Sequence, residues 1–204
     1  MKAFLAVTYD SERAPLTPEF FVPDSVRELA DVHLFDSRAL EVPEIRHAVA
    51  NNKDMSYYYR GHVNRERMLK EFMATDRETL ISLDGDTIIG DDFVELINLD
   101  VPVRWAPYPF REHFSDGYVF LGGDKPSLTG FVTFGALGIQ RMVLKSMCPP
   151  YVLNPDYLSD DFNFSRRLMN HGIIPWMLQN IKVGHQDRKT GRIYYFNEEG
   201  RVVG

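Results

Sequence analysis

The segment ISLDGDTIIGDDF, Ile81 to Phe93, carries the residues best spaced for chemistry. Asp84 and Asp86 follow an apolar run and are separated by a single glycine. Side chains at alternate positions of extended backbone point the same way. Two such carboxylates can reach one divalent cation or its waters, and Gly85 leaves room for a ligand between them. A cation on carboxylate oxygen can neutralise a diphosphate and stabilise it as a leaving group. The same pair could work differently, with Asp84 attacking a phosphate and Asp86 acting as acid and base. It could also be a turn, since Asp-Gly is a common hairpin dipeptide. A calcium loop does not fit. With Asp84 at position 1, Asp86 falls at 3 and Glu95 at 12, but the glycine needed at 6 is Ile89.

The pattern along the chain supplies elements to position these groups. Phe4 to Thr8 reads as a first strand, Val32 to Phe35 as a second and Leu80 to Leu83 as a third, ending at Asp84. A helix from Ser25 to Ala30, capped by Asp24 or Ser25, separates the first two. A helix start at Pro43 to Ala50 and a longer helix from Tyr57 to Met73 precede the third. Asp91 to Leu99 is the helix after it. Strands alternating with helices predict an α/β sheet, mostly parallel, and ligands of such sheets gather at the carboxyl ends of the strands. Asp10, Asp36 and Asp84 all belong at that edge. Further on, Val101 to Trp105 and Tyr118 to Leu121 are strand candidates, and Gly122-Gly123-Asp124 is a turn. Gly130 to Ile139 is glycine-bearing and apolar. Met142 to Met147 and Ser159 to His171 are helices, the second stopped by Gly172, and Ile173 to Val183 returns to the core.

Size and composition bound the function. The 204 residues suit one domain, and apolar and aromatic shares of 44% and 13% argue against disorder. A net charge of -6 disfavours general binding to nucleic acid or anionic lipid. One cysteine, Cys148, excludes an internal disulfide and a multi-cysteine zinc site. The start has no signal-peptide pattern and no stretch approaches a membrane span, so a cytoplasmic protein without an integral membrane segment is expected. Self-association stays open.

Several stretches, in order, resemble a glycosyltransferase of the GT-A type, the nucleotide-sugar-dependent class with a D-x-D motif, in a small, family-2-like form. FLAVTYD is similar to the first, nucleotide-cradling strand. HVNRERMLKEFMATDRETLISLDGD resembles the helix with an early arginine that runs into the D-x-D strand. GFVTFGALGIQRMVLKSM, SDDFNFSRRLMNHGI and IKVGHQD resemble the later small-residue strand, the acidic pair before a helix, and the histidine after an apolar strand. The family usually has Glu-Asp where this chain has Asp160-Asp161, and residues 9 to 60 match little. The resemblance implies a GT-A (Rossmann-like) fold with a mostly parallel mixed sheet over residues 1–204. Residues 1–100 would form the nucleotide-binding half and 101–185 the acceptor and catalytic half, with 186–204 a C-terminal tail or lid.

The resemblance also assigns roles. Asp86 is the direct ligand of Mn²⁺ or Mg²⁺, Asp84 contacts ribose or the metal through water, and His185 completes the coordination as a neutral imidazole. Thr8, Asp36, Arg65, Asp84, Gly85 and Asp86 form the donor site. The donor is a nucleotide-diphosphate sugar, a UDP-sugar before a GDP-sugar. Asp161 is the base that takes the proton of an acceptor hydroxyl, on a glycan or another alcohol, and inversion follows if it faces away from the diphosphate. Asp160 and Gly135 line the acceptor side. Arg188, Lys189 and Arg192 close over the diphosphate as a lid.

Each role has a plainer counterpart. Asp161, Asp160 or Ser159 could simply cap the helix near Phe162. His185 could be a strand-end histidine, Arg65 a surface residue, and the tail a hairpin turning at Thr190-Gly191. His171 reads as structural, at a helix end, and Arg166 and Arg167 as partners of the acidic loops. Two rival functions remain. LISLDGDTII also resembles the first motif of haloacid-dehalogenase phosphatases, with Asp84 as nucleophile, Asp86 as acid and base, Thr129, Lys145 and Asp160-Asp161. The other rival is a non-catalytic nucleotide-binding domain.

Overall fold

Strand β1, Ala3–Tyr9, is apolar at every position from Ala3 to Val7, which is the signature of a strand covered on both faces. Phe4 and Ala6 enter one core cluster, while Leu5 and Val7 enter a second on the other face. The structure, a computed structural model, describes residues 1–13, 15–38, 40–42, 56–109, 127–152, 159–198 and 200–204. The expected helix start at Pro43 to Ala50, the strand at Tyr118 to Leu121 and the turn at Gly122 to Asp124 lie outside them.

The elements then follow in order. Helix α1 is Asp24–Leu29, β2 Ala30–Asp36, α2 Ser56–Ala74 and β3 Thr79–Asp84. A short β4, Thr87–Ile89, comes next, then a 3₁₀ turn at Asp91–Phe93, α3 at Val94–Asn98 and β5 at Val103–Trp105. The second half has β6, Ser127–Leu128; β7, Ala136–Gln140; α4, Arg141–Met147; α5, Asp160–Asn170; and β8, Trp176–Met177. Three strands close the chain: β9, Val183–Gln186; β10, Ile193–Phe196; and β11, Val202–Val203. Neither Asp24 nor Ser25 caps α1, whose N-cap is Pro23.

A seven-stranded mixed sheet runs β2-β1-β3-β7-β5-β8-β6. β1 is parallel to both β2 and β3, in a register that sets Tyr9 beside Asp36 and Thr8 beside Asp84. The carboxyl ends of these three strands therefore share one edge. β7 lies antiparallel between β3 and β5, so strands from both halves of the chain form one sheet. Helix α2 packs one face through Met68, Leu69 and Phe72, while Val26, Phe93 and Leu96 cover the other.

A second, four-stranded sheet runs β11-β10-β9-β4. It starts from β4, three residues past the end of β3, and pairs Thr87 with His185. The tail is thus a hairpin stack: β9 turns back into β10, with Gly191 at φ +73° where only glycine is unstrained. No helix among the described residues is long and apolar enough to cross a membrane.

Two buried arginines hold helix ends. Arg104 donates to the carbonyls of Leu96 (2.6 Å), Ile97 (2.9 Å) and Val101 (3.1 Å), at the end of α3. Burial brings its guanidinium down to about 10, so it remains charged at neutral pH. Arg141 donates to the carbonyls of Phe72, Met73, Thr75 and Arg77 around the end of α2. Each places a cation where helix carbonyls lack partners.

Candidate functional site

The edge of the sheet gathers four acidic side chains into two groups. Asp84 ends β3, and Asp86 lies two residues on in a tight turn. They do not share an extended strand, so the expected common direction is lost. Gly85 does not leave space for a ligand either. A Cβ there would come within 2.7 Å of Tyr9 Cβ and 3.3 Å of Leu16 Cδ2. Its N–H donates to the Thr8 carbonyl at 2.9 Å. The glycine is needed because the turn packs against the backbone at the end of β1.

Asp84 faces Arg65, which projects from α2. Arg65 is 5% exposed and shares a helix face with Met68, Leu69 and Phe72. It donates to Asp84 Oδ1, to Ser82 Oγ (3.1 Å) and to Asp160 Oδ2 (3.3 Å), and it lies 5.0 Å over the Phe134 ring. It is therefore neither a surface residue nor turned towards solvent. Burial works against its charge, but Asp84, Asp160 and Asp161 outweigh it and hold the guanidinium protonated. Thr8 donates to Asp84 Oδ1 at 3.3 Å. Asp36, at the end of β2, accepts the amides of Ser11 (3.1 Å) and Arg38 (2.9 Å) through one oxygen. Burial is the largest single influence and raises it, but the two amides, the Ser11 hydroxyl and the Arg38 charge together outweigh it and hold it below its usual range.

Asp86 faces His185. The pairing of β4 with β9 brings them together, and His185 Nε2 lies 3.0 Å from Asp86 Oδ2. Arg188 reaches the same oxygen at 2.9 Å. Asp86 is 3% exposed and His185 8%. The other ring nitrogen, Nδ1, is 2.6 Å from the Pro109 carbonyl, which can only accept, so Nδ1 carries a proton. In the neutral ring, Nε2 then presents a lone pair to a carboxylate oxygen. Two acceptors face each other, and a proton or a metal ion must lie between them. Donors about 3 Å apart match neighbouring ligands of one octahedral ion with bonds of about 2.1 Å. A histidine whose far nitrogen is fixed by a carbonyl is also the usual arrangement of a metal ligand. Asp86 and His185 thus fit a divalent cation. Among the described residues, however, no three His, Cys, Asp or Glu side chains stand close enough to hold one together. The expected trio is split, because Asp84 is turned to Arg65.

Asp161 lies in the first turn of α5, but it is not the cap. Ser159 caps that helix, accepting the Phe162 amide at 3.2 Å. Asp161 Oδ1 instead accepts the Phe134 amide at 2.8 Å, in the segment before β7. One helical turn later, Ser165 bonds both the amide and the carbonyl of Val132, which stitches α5 to the same segment. Asp160 accepts the Asp161 amide at 3.0 Å and the Arg65 contact described above. Asp161 keeps part of its surface open while its carboxylate is enclosed. Burial, then the Asp160 charge, push it well above the usual carboxylate range, although the Phe134 amide opposes them.

Tyr108, which the sequence reading did not single out, lies among these groups. It is 5% exposed, with its hydroxyl 3.5 Å from Asp84 Oδ2 and its ring edge-on to His185 at 5.3 Å. Burial and the charges of Asp84 and Asp161 hold it as a neutral phenol. Gly135, expected on the acceptor side, makes room for it. A Cβ at 135 would come within 2.1 Å of the Tyr108 hydroxyl.

Other expectations resolve locally. Of the remaining aspartates in the opening segment, Asp91 accepts Ser25 Oγ (2.7 Å) and Asp92 the Lys182 amide (2.7 Å), both as structural ties. Of the three lid cations, Arg188 alone is seen on the acidic groups. Arg192 donates to the Gly204 carbonyl at the chain end, and Lys189 is exposed on the hairpin turn. Arg167 holds the carbonyls of Met147 and Cys148, both at 2.8 Å, rather than an acidic loop. His171 bonds the Arg167 carbonyl at a helix end. The phosphatase set is brought together only in part: Arg65 joins Asp160 to Asp84, but Lys145 stands apart. Lys145 is exposed on α4, which starts beside Glu78 at the opposite edge of the sheet from Asp84.

No family model and no curated protein matches the chain. Among solved structures it is similar to the one described as A197 from STIV, at 19% identity and a TM-score of 0.63, covering 100% of this chain and 93% of that one. At that identity the likeness shows a shared fold and nothing about activity.

Proposed function

We propose that this chain is a glycosyltransferase of the GT-A type, moving a sugar from a nucleotide-diphosphate donor to an acceptor hydroxyl with inversion. The observation that carries the reading is the gathering of Asp84, Asp86, His185 and Asp161 around Tyr108 at the carboxyl edge of β1 and β3. Ligands of α/β sheets bind at this edge. Asp86 and His185 would hold a Mn²⁺ or Mg²⁺ ion, whose positive charge would offset the negative charge of the departing diphosphate. Thr8 and Asp84 line the donor side, with Arg65 fixing the Asp84 carboxylate. Asp161 receives the proton of the acceptor hydroxyl, and Asp160, bonded to Arg65 and to the Asp161 amide, keeps it in place.

The test is a thermal-shift series with nucleoside diphosphates and their sugars, with and without Mn²⁺. A bound ligand raises apparent stability by mass action. The reading expects a manganese-dependent rise with a UDP-sugar or, next, a GDP-sugar. A folded protein that responds to none of them rejects it.

One observation favours a non-catalytic binding domain instead: Asp161 is tied to a backbone amide and is driven towards its neutral form, which cannot accept a proton. Release of nucleoside diphosphate from a bound donor, abolished by Asp161→Asn, decides for the transferase. Binding without any release decides for the module.

A further inference from the structure

Arg188 reaches the acidic site from the hairpin between β9 and β10, three residues after His185. Its side chain is 20% exposed and its Nη2 lies 2.9 Å from Asp86 Oδ2, the oxygen that also faces His185 Nε2. A divalent cation held between Asp86 and His185 would compete with the guanidinium for that oxygen. Two cations competing for one carboxylate oxygen repel, so arrival of the metal displaces the guanidinium. The hairpin backbone does not need to follow. Asp187 ties it down, accepting the Lys189 amide (3.0 Å), the Thr190 hydroxyl (2.8 Å) and the Gly191 amide (2.7 Å), and donating to the Arg192 carbonyl (2.8 Å). Only the long side chain has to swing. The anion that accompanies the metal in a diphosphate ligand is the new partner within its reach, and guanidinium binds phosphate through paired N–H groups.

We propose that Arg188 is an exchangeable cation of this site: it neutralises Asp86 when no metal is bound, and it turns to the diphosphate when a divalent cation takes its place. The inference rests on the assignment of Asp86 and His185 as metal ligands. It makes a diphosphate, rather than a single phosphate, the preferred anion, because one group must meet both the metal and the guanidinium.

The experiment measures binding alone, with MnCl₂ and inorganic pyrophosphate as probes, on the full chain. Calorimetry gives Mn²⁺ affinity without anion and pyrophosphate affinity at saturating Mn²⁺. Arg188→Gln removes the competitor, so Mn²⁺ alone binds tighter. It also removes the anion's partner, so pyrophosphate binds weaker. Each change is expected at about tenfold, within the usual range of coupling between bound ligands. Arg188→Lys keeps the charge and retains most of the competition with Mn²⁺. Lys182→Gln, the same loss of charge at an exposed neighbouring position, moves neither affinity more than about twofold. Opposite shifts in Arg188→Gln with a silent Lys182→Gln establish the exchange. Shifts of the same sign, or none, overturn it while leaving the metal site standing. A wild-type protein that binds no Mn²⁺ overturns the metal assignment itself, and the exchange with it.

Discussion

At the scale of single residues, Asp161 is pulled two ways. The Phe134 amide favours its charged form, while enclosure and Asp160 favour the neutral one and prevail. A carboxyl whose folded pKa is raised binds more protons in the folded state than in the unfolded chain. Stability therefore falls as pH rises from the ordinary aspartate range through the folded value, and stays lower above it. Asp161→Asn keeps an oxygen for the Phe134 amide and removes the charge. It is expected to raise the melting temperature at pH 7.5, with the gain fading towards pH 4, while release of nucleoside diphosphate drops by roughly 10²–10⁴. Parallel melting and turnover curves against pH check both, and the acid limb of wild-type turnover should lie above the usual carboxylate range. Tyr108 and Gly135 are a second coupled pair. Gly135→Ala drives a methyl into the Tyr108 ring and hydroxyl and is expected to cost about 1–3 kcal/mol. In the Tyr108→Ala background the added cost should nearly vanish, which a double-mutant cycle in urea measures.

At the scale of elements, the strands and helices that build the edge were legible because their patterns are strong. β1, β2 and β3 came out within two residues: β1 and β3 are buried and read as mostly apolar runs, while β2, an edge strand with His33 and Leu34 exposed, shows only a short apolar stretch before Asp36. Helix α2 was legible by its stripe, and that stripe carried a missed signal. Arg65 stands three and four residues before Met68 and Leu69, on the buried face, so a charged residue there announced a buried ion pair. β4 was not legible, because three residues after a turn make no pattern of their own. Without its pairing to β9, nothing in the sequence could set His185 against Asp86 rather than Asp84. The capping roles of Arg104 and Arg141 were also invisible, as their partners are carbonyls up to 69 residues away in sequence. Arg141 is the more exacting case, with its five hydrogen bonds around the end of α2. Arg141→Met fills the space but leaves the carbonyls unsatisfied, at an expected cost of about 3–5 kcal/mol. Arg141→Lys should recover little, because an ammonium cannot reproduce the fork. The check is a lower urea midpoint with an unchanged slope.

At the scale of the whole molecule, the site joins the two halves of the chain across one sheet. Asp84 comes from β3 in the first half and Asp160 from α5 in the second, and Arg65 from α2 binds both. β7 in the backbone and Arg65 in the side chains thus join residues 1–100 to residues 101–185. Removing that guanidinium leaves Asp84, Asp160 and Asp161 facing one another across a partly buried space. Breaking a buried pair by deleting one partner is costly, on the order of 3–5 kcal/mol, because the remaining charge is uncompensated. Arg65→Leu is expected to lose about that much at pH 7.5. Arg65 is the cation that opposes the rise of the Asp161 carboxyl, so its loss pushes that group further above its unfolded value. Protonation then favours the folded state, and the deficit shrinks as pH falls towards 4.5. Urea denaturation of wild type and Arg65→Leu across that range measures the gap at each pH. A gap that stays constant would mean that Arg65 acts through packing on Phe134 alone, and that the two halves of the site are not held together by charge.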